Sequence, residues 1–176
     1  VNPFFWPAKP DLVRGAALGL FGEFRNEHYR SVYFHSWSEE RERKFHRYLD
    51  ALARGAAEFV KQTDAFVACV GTEQLDRNAC EEVAERLPFR APVLVSDEYD
   101  MYSLVSILRQ ATLLVSSRFH AMVSTMPAGV PAVGVSIDER IENLLRDSGH
   151  PELLLKATDP DLEPKLIDAM RLAYAQ

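Results

Sequence analysis

Short apolar runs rich in β-branched residues recur along this chain and alternate with longer segments in which apolar residues follow a helical period. Each run is nearly continuous in its hydrophobicity, which is typical of a strand buried on both faces of a parallel sheet. The alternation predicts an α/β fold with a doubly wound, mostly parallel sheet, helices on both faces and right-handed crossovers. The predicted strands are SVYFHSW (31–37), DAFVACV (64–70), APVLVSD (91–97), ATLLVSS (111–117), PAVGVSI (131–137) and ELLLKA (152–157), and the predicted helices are 38–62, 75–87, 101–110, 118–128, 139–148 and 160–174.

Size and charge limit the classes of function. The 176 residues are enough for one domain with a single core. No apolar run approaches the ~20 residues of a membrane span, so we expect no transmembrane segment. The formal net charge is -6 and no stretch is rich in Lys and Arg, which argues against a nucleic-acid partner.

The two cysteines indicate a domain in the reducing cytoplasm, and the first residues indicate that a further segment of the protein precedes it. Cys69 and Cys80 lack the spacing of a metal site or a redox motif, so we interpret both as buried side chains of a protein in a reducing compartment. The start, VNPFFWPAKPDL, does not have the pattern of a signal peptide. Residues 1–25 are interpreted as a linker or entry segment, and residues 26–176 as the domain.

The richest candidate site follows the fourth predicted strand. Ligands of doubly wound sheets bind beyond the carboxyl ends of the strands, near the starts of helices. Ser116, Ser117, Arg118 and His120 occupy this position. The guanidinium is suited to a bidentate grip on a carboxylate or phosphate, and an imidazole can donate or accept a proton near neutral pH.

Geometry leaves two interpretations of Arg118 and His120 open. Residues 118 and 120 lie about 200° apart on an ideal helix, so they converge on one ligand only if Arg118 precedes the helix. Alternatively, Arg118 pairs with an acid such as Asp97 or Glu98, and His120 is an interior histidine.

The fifth predicted strand ends near a second set of polar residues. Asp138 suits the N-cap of the next helix, and Arg140 either meets an anion or faces water. Between the two strand ends, Gly129 suits a left-handed residue that stops the helix. Pro127 should tighten the last helical turn, and Pro131 suits the start of a strand.

Several familiar motifs are missing from the sequence. The chain has no Gly-rich phosphate loop, no Gly-x-Ser-x-Gly elbow and no His/Cys metal cluster. We therefore expect no cofactor and no metal, and the dehydrogenase, P-loop and hydrolase classes lose their usual support.

From about Tyr99 onward the sequence resembles the polysaccharide pyruvyl transferase family. The family pattern is an apolar strand, Ser-x-Arg-(Leu/Phe)-His-Ala, a short helix, Ala-Gly-Val-Pro, a second strand and Tyr-Asp-x-Lys. This chain reads VSSRFHAMVSTMPAGVPAVGVSIDER after YSLVSILRQATLLVSS. It departs from the pattern at Ile137 and Arg140, where the family has Tyr and Lys.

The resemblance implies the C-terminal, Rossmann-like half of a glycosyltransferase-B architecture, with a separate N-terminal domain as its partner. It also implies transfer of pyruvate from phosphoenolpyruvate to a glycan or lipid-linked sugar acceptor, in the cytoplasm or at the inner membrane surface. Within the family the Arg and His of the motif are associated with phosphoenolpyruvate. Arg118 would then bind the anion, and His120 would transfer a proton or contact the phosphate. Ser116, Ser117, Asp138 and Arg140 would support binding.

Two other functions stay open at this point. One is a glycosyltransferase-B enzyme that binds a nucleotide sugar at the same strand ends. The other is a polysaccharide-assembly scaffold that keeps the fold without turnover. In either enzymatic case we expect the isolated domain to be inactive, because the active site would lie in a cleft between two domains.

Overall fold

The computed structural model describes residues 38–137 and 139–175. The predicted strand 31–37, the entry segment 1–25 and Asp138 lie outside the described residues. From residue 48 onward the described residues form one compact unit, and those before it belong to a second unit. The helices of the described part are α1 (Glu39–Thr63), α2 (Arg77–Arg86), α3 (Met101–Leu108), α4 (Phe119–Thr125), α5 (Glu139–Asp147) and α6 (Leu162–Tyr174), and the strands are β1 (Cys69–Gly71), β2 (Val93–Val95), β3 (Leu114–Ser116), β4 (Ala132–Ser136) and β5 (Leu154–Lys156).

The strands form two parallel sheets. β1 pairs with β2, with Cys69 opposite Val93. β4 lies between β3 and β5, with Val133 opposite Val115 and Val135 opposite Leu155. Every strand-to-strand connection passes through a helix, so the predicted doubly wound α/β fold is confirmed.

Helices cover both faces of β4. Val133 and Val135 are completely buried. Gly134 points to the opposite face of the sheet, because successive residues of a strand alternate. A Cβ atom added at Gly134 would lie 2.6 Å from Ile141 Cγ2, 2.7 Å from Leu145 Cδ1 and 3.3 Å from Met122 Cε. Helices α4 and α5 therefore approach the strand as closely as they do because residue 134 has no side chain.

Replacing Gly134 by alanine should lower the free energy of unfolding by about 1–3 kcal/mol, the usual cost of overpacking a filled core. Chemical denaturation measures it. If the cause is contact with Leu145, then Gly134→Ala combined with Leu145→Val should be less destabilised than the sum of the two single variants. Strictly additive effects would show that the added methyl group does not destabilise the protein through contact with Leu145.

Local sequence signals correctly placed several element ends. The backbone N–H of Arg41 donates to Ser38 Oγ at 3.2 Å, which confirms Ser38 at the start of α1. After α4 the chain tightens into a 3-10 turn, Met126–Ala128, that contains the predicted Pro127. Gly129 follows with φ +67°, which is the left-handed conformation expected of it.

The strands are shorter than the apolar runs that predicted them. The run 64–70 becomes β1 only at Cys69. Asp64 has φ +54° directly after α1, and Phe66 is 80% exposed. The apolar residues at the start of this run thus belong to a connection that leaves the helix, and only the last part of the run enters the sheet.

Both cysteines are buried and unpaired thiols, as predicted. Burial raises the pKa of Cys69 to about 11, because the thiolate would be poorly solvated there. Burial likewise raises the pKa of Cys80. These side chains therefore act as small apolar groups between β1 and α2.

Candidate functional site

Arg118 lies at the junction between β3 and α4. Its backbone is extended, with φ −109° and ψ 115°, and the helix begins at Phe119. The geometric condition for Arg118 and His120 to face one ligand, that Arg118 precede the helix, is therefore met. Ser116 holds this conformation, because its Oγ accepts from the N–H of Arg118 at 3.0 Å and donates to the carbonyl oxygen of Arg118 at 3.1 Å.

Ser117 connects the junction to helix α1. The hydroxyl of Tyr48 donates to Ser117 Oγ at 2.9 Å, and both side chains are buried. The two serines predicted to support a ligand thus use their hydroxyl groups to fix the junction itself. A buried hydroxyl pair of this kind is costly to separate, so it stabilises the position of Arg118.

The guanidinium of Arg118 binds two carboxylates of the chain. Its Nε donates to Oδ1 and Oδ2 of Asp76, both at 3.1 Å, and its Nη2 donates to Oδ1 as well. Its Nη1 donates to Glu73 Oε1 at 2.9 Å. The side chain of Asp76 is completely buried and that of Arg118 is 11% exposed, so this ion pair is shielded from solvent.

The alternative that Arg118 forms an ion pair is therefore correct, but the expected partners were wrong. Asp97 and Glu98 instead bind Arg77, whose Nε donates to Asp97 Oδ2 at 2.7 Å and whose Nη2 lies 2.9 Å from Glu98 Oε1. The hydrogen bond from Arg77 holds the pKa of Asp97 below its ordinary value. Arg77 also donates to Glu81 through Nη1 at 3.4 Å, so each of the two arginines binds more than one acid.

Asp76 reaches Arg118 because the chain turns sharply after β1. Glu73 and Asp76 form a reciprocal capping box around the 3-10 turn Gln74–Asp76, with the N–H of Glu73 donating to Asp76 Oδ2 at 3.2 Å. A Cβ atom at Gly71 would lie 2.8 Å from the Cβ atom of Asp76. Gly71 therefore allows the buried carboxylate to lie against the end of the strand.

His120 lies on the solvent side of the junction. It is exposed, so the alternative of an interior histidine is wrong. Its ring meets the ring of Phe119 edge-on, with 5.6 Å between centroids. The guanidinium carbon of Arg140 lies 5.9 Å from the centroid of the Phe119 ring, within the range of a cation–π contact.

Phe119 consequently connects two residues that the sequence placed at different strand ends. His120 follows β3, Arg140 is in the first turn of α5 after β4, and Phe119 contacts both. Ser116, Ser117, Arg118, His120 and Arg140 are thus brought to one edge of the sheet. Asp138 lies outside the described residues.

Sequence reasoning missed Asp76 and Phe119. Glu73 follows the predicted strand 64–70, and an acid three residues later is a local signal for a capping box, from which Asp76 could have been found. Phe119 stood inside the quoted motif, but an aromatic residue at the start of a helix is usually interpreted as core.

Two further features of the described residues bear on the chemistry. Residues 38–137 and 139–175 contain no group of three or more His, Cys, Asp and Glu side chains that could hold a metal ion. In the same part of the chain, no helix is long and apolar enough to cross a membrane.

Comparison with family models identifies a family for this chain. The family model described as polysaccharide pyruvyl transferase matches residues 23–139. This range includes the Gly71-to-Asp76 turn and the Arg118–His120 junction, and it extends the likeness well before Tyr99, where sequence reasoning began it. No curated protein and no solved structure matches the chain.

Proposed function

The chain belongs to the polysaccharide pyruvyl transferase family, and from that premise we propose that it transfers pyruvate from phosphoenolpyruvate to two hydroxyl groups of a polysaccharide or of its lipid-linked precursor. The observation that carries the proposal is the position of Arg118, His120 and Arg140 just after neighbouring strands, with Phe119 in contact with both His120 and Arg140. Phosphoenolpyruvate carries a carboxylate and a phosphate, and fixed cations at a strand edge suit both groups.

The reaction needs one proton to be placed on carbon. A first sugar hydroxyl adds its oxygen to C2 of phosphoenolpyruvate and gives up its proton, while the C3 methylene gains a proton and becomes a methyl group. A second hydroxyl then forms the other C2–O bond as the C2–O bond to phosphate breaks, and its proton leaves with the phosphate. The products are a cyclic ketal and inorganic phosphate.

We assign the proton transfer to His120, because its imidazole is exposed beside the arginine-bearing junction. Arg118 binds the donor through the Nη1 end of its guanidinium, which faces the half-exposed side chain of Glu73. Arg140 binds the second anionic group, and Asp138 assists in binding. Ser116 and Ser117 contribute by fixing the junction.

The proposed activity requires a larger, two-domain protein. This chain would be the C-terminal, Rossmann-like half of a two-domain enzyme of the glycosyltransferase-B kind, acting in the cytoplasm or at the inner membrane surface where a lipid-linked acceptor is held. The support for this is the α/β fold and the family itself. Phosphoenolpyruvate would be the donor substrate and no other cofactor would be needed.

Calorimetric titration of the full-length protein with phosphoenolpyruvate and, separately, with a UDP-sugar tests the proposal. We expect phosphoenolpyruvate to bind, and Arg140→Gln to weaken its binding about tenfold, the loss of one hydrogen-bonded charge contact. Arg146→Gln is the matched control, because Arg146 is also an exposed arginine of α5 and pairs only weakly with Glu142, at 3.4 Å.

Two results would contradict the proposal. Binding of the UDP-sugar without binding of phosphoenolpyruvate would indicate a glycosyltransferase. Binding of phosphoenolpyruvate without any pyruvylated product, detected by mass spectrometry of the acceptor, would indicate a scaffold.

A further inference from the structure

We propose that Glu73 is a resident anion that occupies the donor-facing end of the Arg118 guanidinium, and that the donor displaces it. The inference rests on the proposed function, since it concerns the same anion site. It adds a residue that lies 45 positions before Arg118 in the chain. Glu73 would then set how tightly the enzyme holds its donor.

The two carboxylates on Arg118 differ in what they can do. Asp76 receives the Nε and Nη2 edge of the guanidinium and has no exposed surface, so it stays in place as the anchor. Glu73 receives Nη1 alone and its side chain is 48% exposed. An anion that arrives from solvent therefore meets Arg118 at the position of Glu73.

Charge explains why Glu73 has to leave. Asp76 and Glu73 together carry two negative charges against the one positive charge of Arg118. A donor with a carboxylate and a phosphate would be repelled by this cluster, because like charges in contact are unfavourable. A half-exposed carboxylate that leaves its ion pair for water loses little interaction free energy, since surface ion pairs are weak. Once Glu73 has left, Asp76 and Arg118 form a neutral pair, so the donor no longer meets an excess negative charge at this position.

Glutamine at position 73 separates the two functions of the side chain. The hydrogen bond to Asp76 Oδ2 comes from the backbone N–H of residue 73, and an amide oxygen can still accept from the N–H of Asp76, so the turn that presents Asp76 is preserved. It carries no charge, so it no longer competes with an anion at Nη1. Glu73→Gln therefore removes the resident anion without removing the anchor.

The chain offers a closely matched control at Glu98. Its Oε1 lies 2.9 Å from Arg77 Nη2, the same separation as between Glu73 Oε1 and Arg118 Nη1. Its side chain is 57% exposed, compared with 48% for Glu73. Glu98→Gln thus removes one charge of the same kind from a neighbouring arginine that has no assigned part in binding.

The experiment measures the dissociation constant of phosphoenolpyruvate by calorimetry in the full-length protein and in these two variants. We expect Glu73→Gln to tighten binding about two- to fivefold, the effect of removing a partly exposed competing charge. Glu98→Gln should leave the constant unchanged. The gain from Glu73→Gln should shrink as salt is raised, because screening weakens the competition.

The outcomes separate this inference from the function on which it rests. If the parent protein binds phosphoenolpyruvate and Glu73→Gln leaves that binding unchanged or weakens it, the displacement by the donor is wrong while the proposed function stands. If both variants tighten binding equally, the effect is one of net charge and the inference is wrong. If the parent binds only the UDP-sugar, the proposed function and this inference fail together.

Discussion

Replacing Arg118 by alanine is expected to lower the free energy of unfolding by about 3–5 kcal/mol, the usual cost of leaving a buried charge without its partner. Asp76 has no exposed surface and accepts three hydrogen bonds from the guanidinium, so water cannot take the place of Arg118. A domain is typically stable by about 5–15 kcal/mol, so this loss is a large part of the total. Chemical denaturation of the full-length protein, followed by a spectroscopic signal, measures it.

Two comparisons identify the buried charge as the cause. Arg77→Ala removes a more exposed arginine from Asp97 and Glu98, and should cost at most about 1 kcal/mol. Adding Asp76→Asn to Arg118→Ala should recover part of the stability, because the uncompensated charge is removed. If Arg118→Ala is no more harmful than Arg77→Ala, then Asp76 does not depend on Arg118.

Features encoded by neighbouring residues could be predicted from the sequence. The alternation of apolar runs and helical periods gave the order of the elements, because strand and helix periods are properties of local segments. Gly129 and Ser38 were correctly placed for the same reason, since caps and left-handed turns depend on one or two residues. Strand bounds were less accurate, because hydrophobicity alone does not say whether residues such as Phe66 enter the sheet.

The partners of Arg118 could not be predicted in this way. Asp76 follows β1 and Arg118 follows β3, 42 positions later, and no periodic pattern connects two turns. Sequence reasoning chose Asp97 and Glu98, which also follow a strand, because it could not rank the acids at one sheet edge. The structure ranks them through packing: Gly71 lets the chain fold back so that Asp76 is buried under the guanidinium.

The tertiary arrangement of His120 and Phe119 could not be predicted from the sequence either. The motif contains Arg118 and His120 two residues apart, and this spacing alone left both their convergence and the burial of His120 undecided. The exposure of His120 answers the second point, and the extended backbone of Arg118 meets the condition that the first point requires. The contact of Phe119 with Arg140 depends on how α5 returns to α4, which is a tertiary property.

Replacing His120 by alanine is expected to reduce turnover by about 10²–10⁴-fold, the contribution typical of a positioned acid or base. The free energy of unfolding should change by less than about 0.5 kcal/mol, because the side chain is exposed and its described contact is the edge of the Phe119 ring. Steady-state rates of phosphate release with phosphoenolpyruvate and acceptor, together with denaturation, measure both quantities.

The design of the variants separates proton transfer from simple contact with the phosphate. His120→Gln keeps a hydrogen-bond donor but cannot shuttle a proton, so it should be as slow as His120→Ala if the imidazole is the acid. His150→Ala is the control, because His150 is another solvent-accessible histidine, with 45% of its side chain exposed and its Nδ1 3.2 Å from Glu152, and it should keep the parent rate. Recovery of most of the rate in His120→Gln would show that His120 holds the phosphate instead. A rate in His120→Ala within tenfold of the parent would remove His120 from the chemistry and return the proton transfer to a residue of another part of the enzyme.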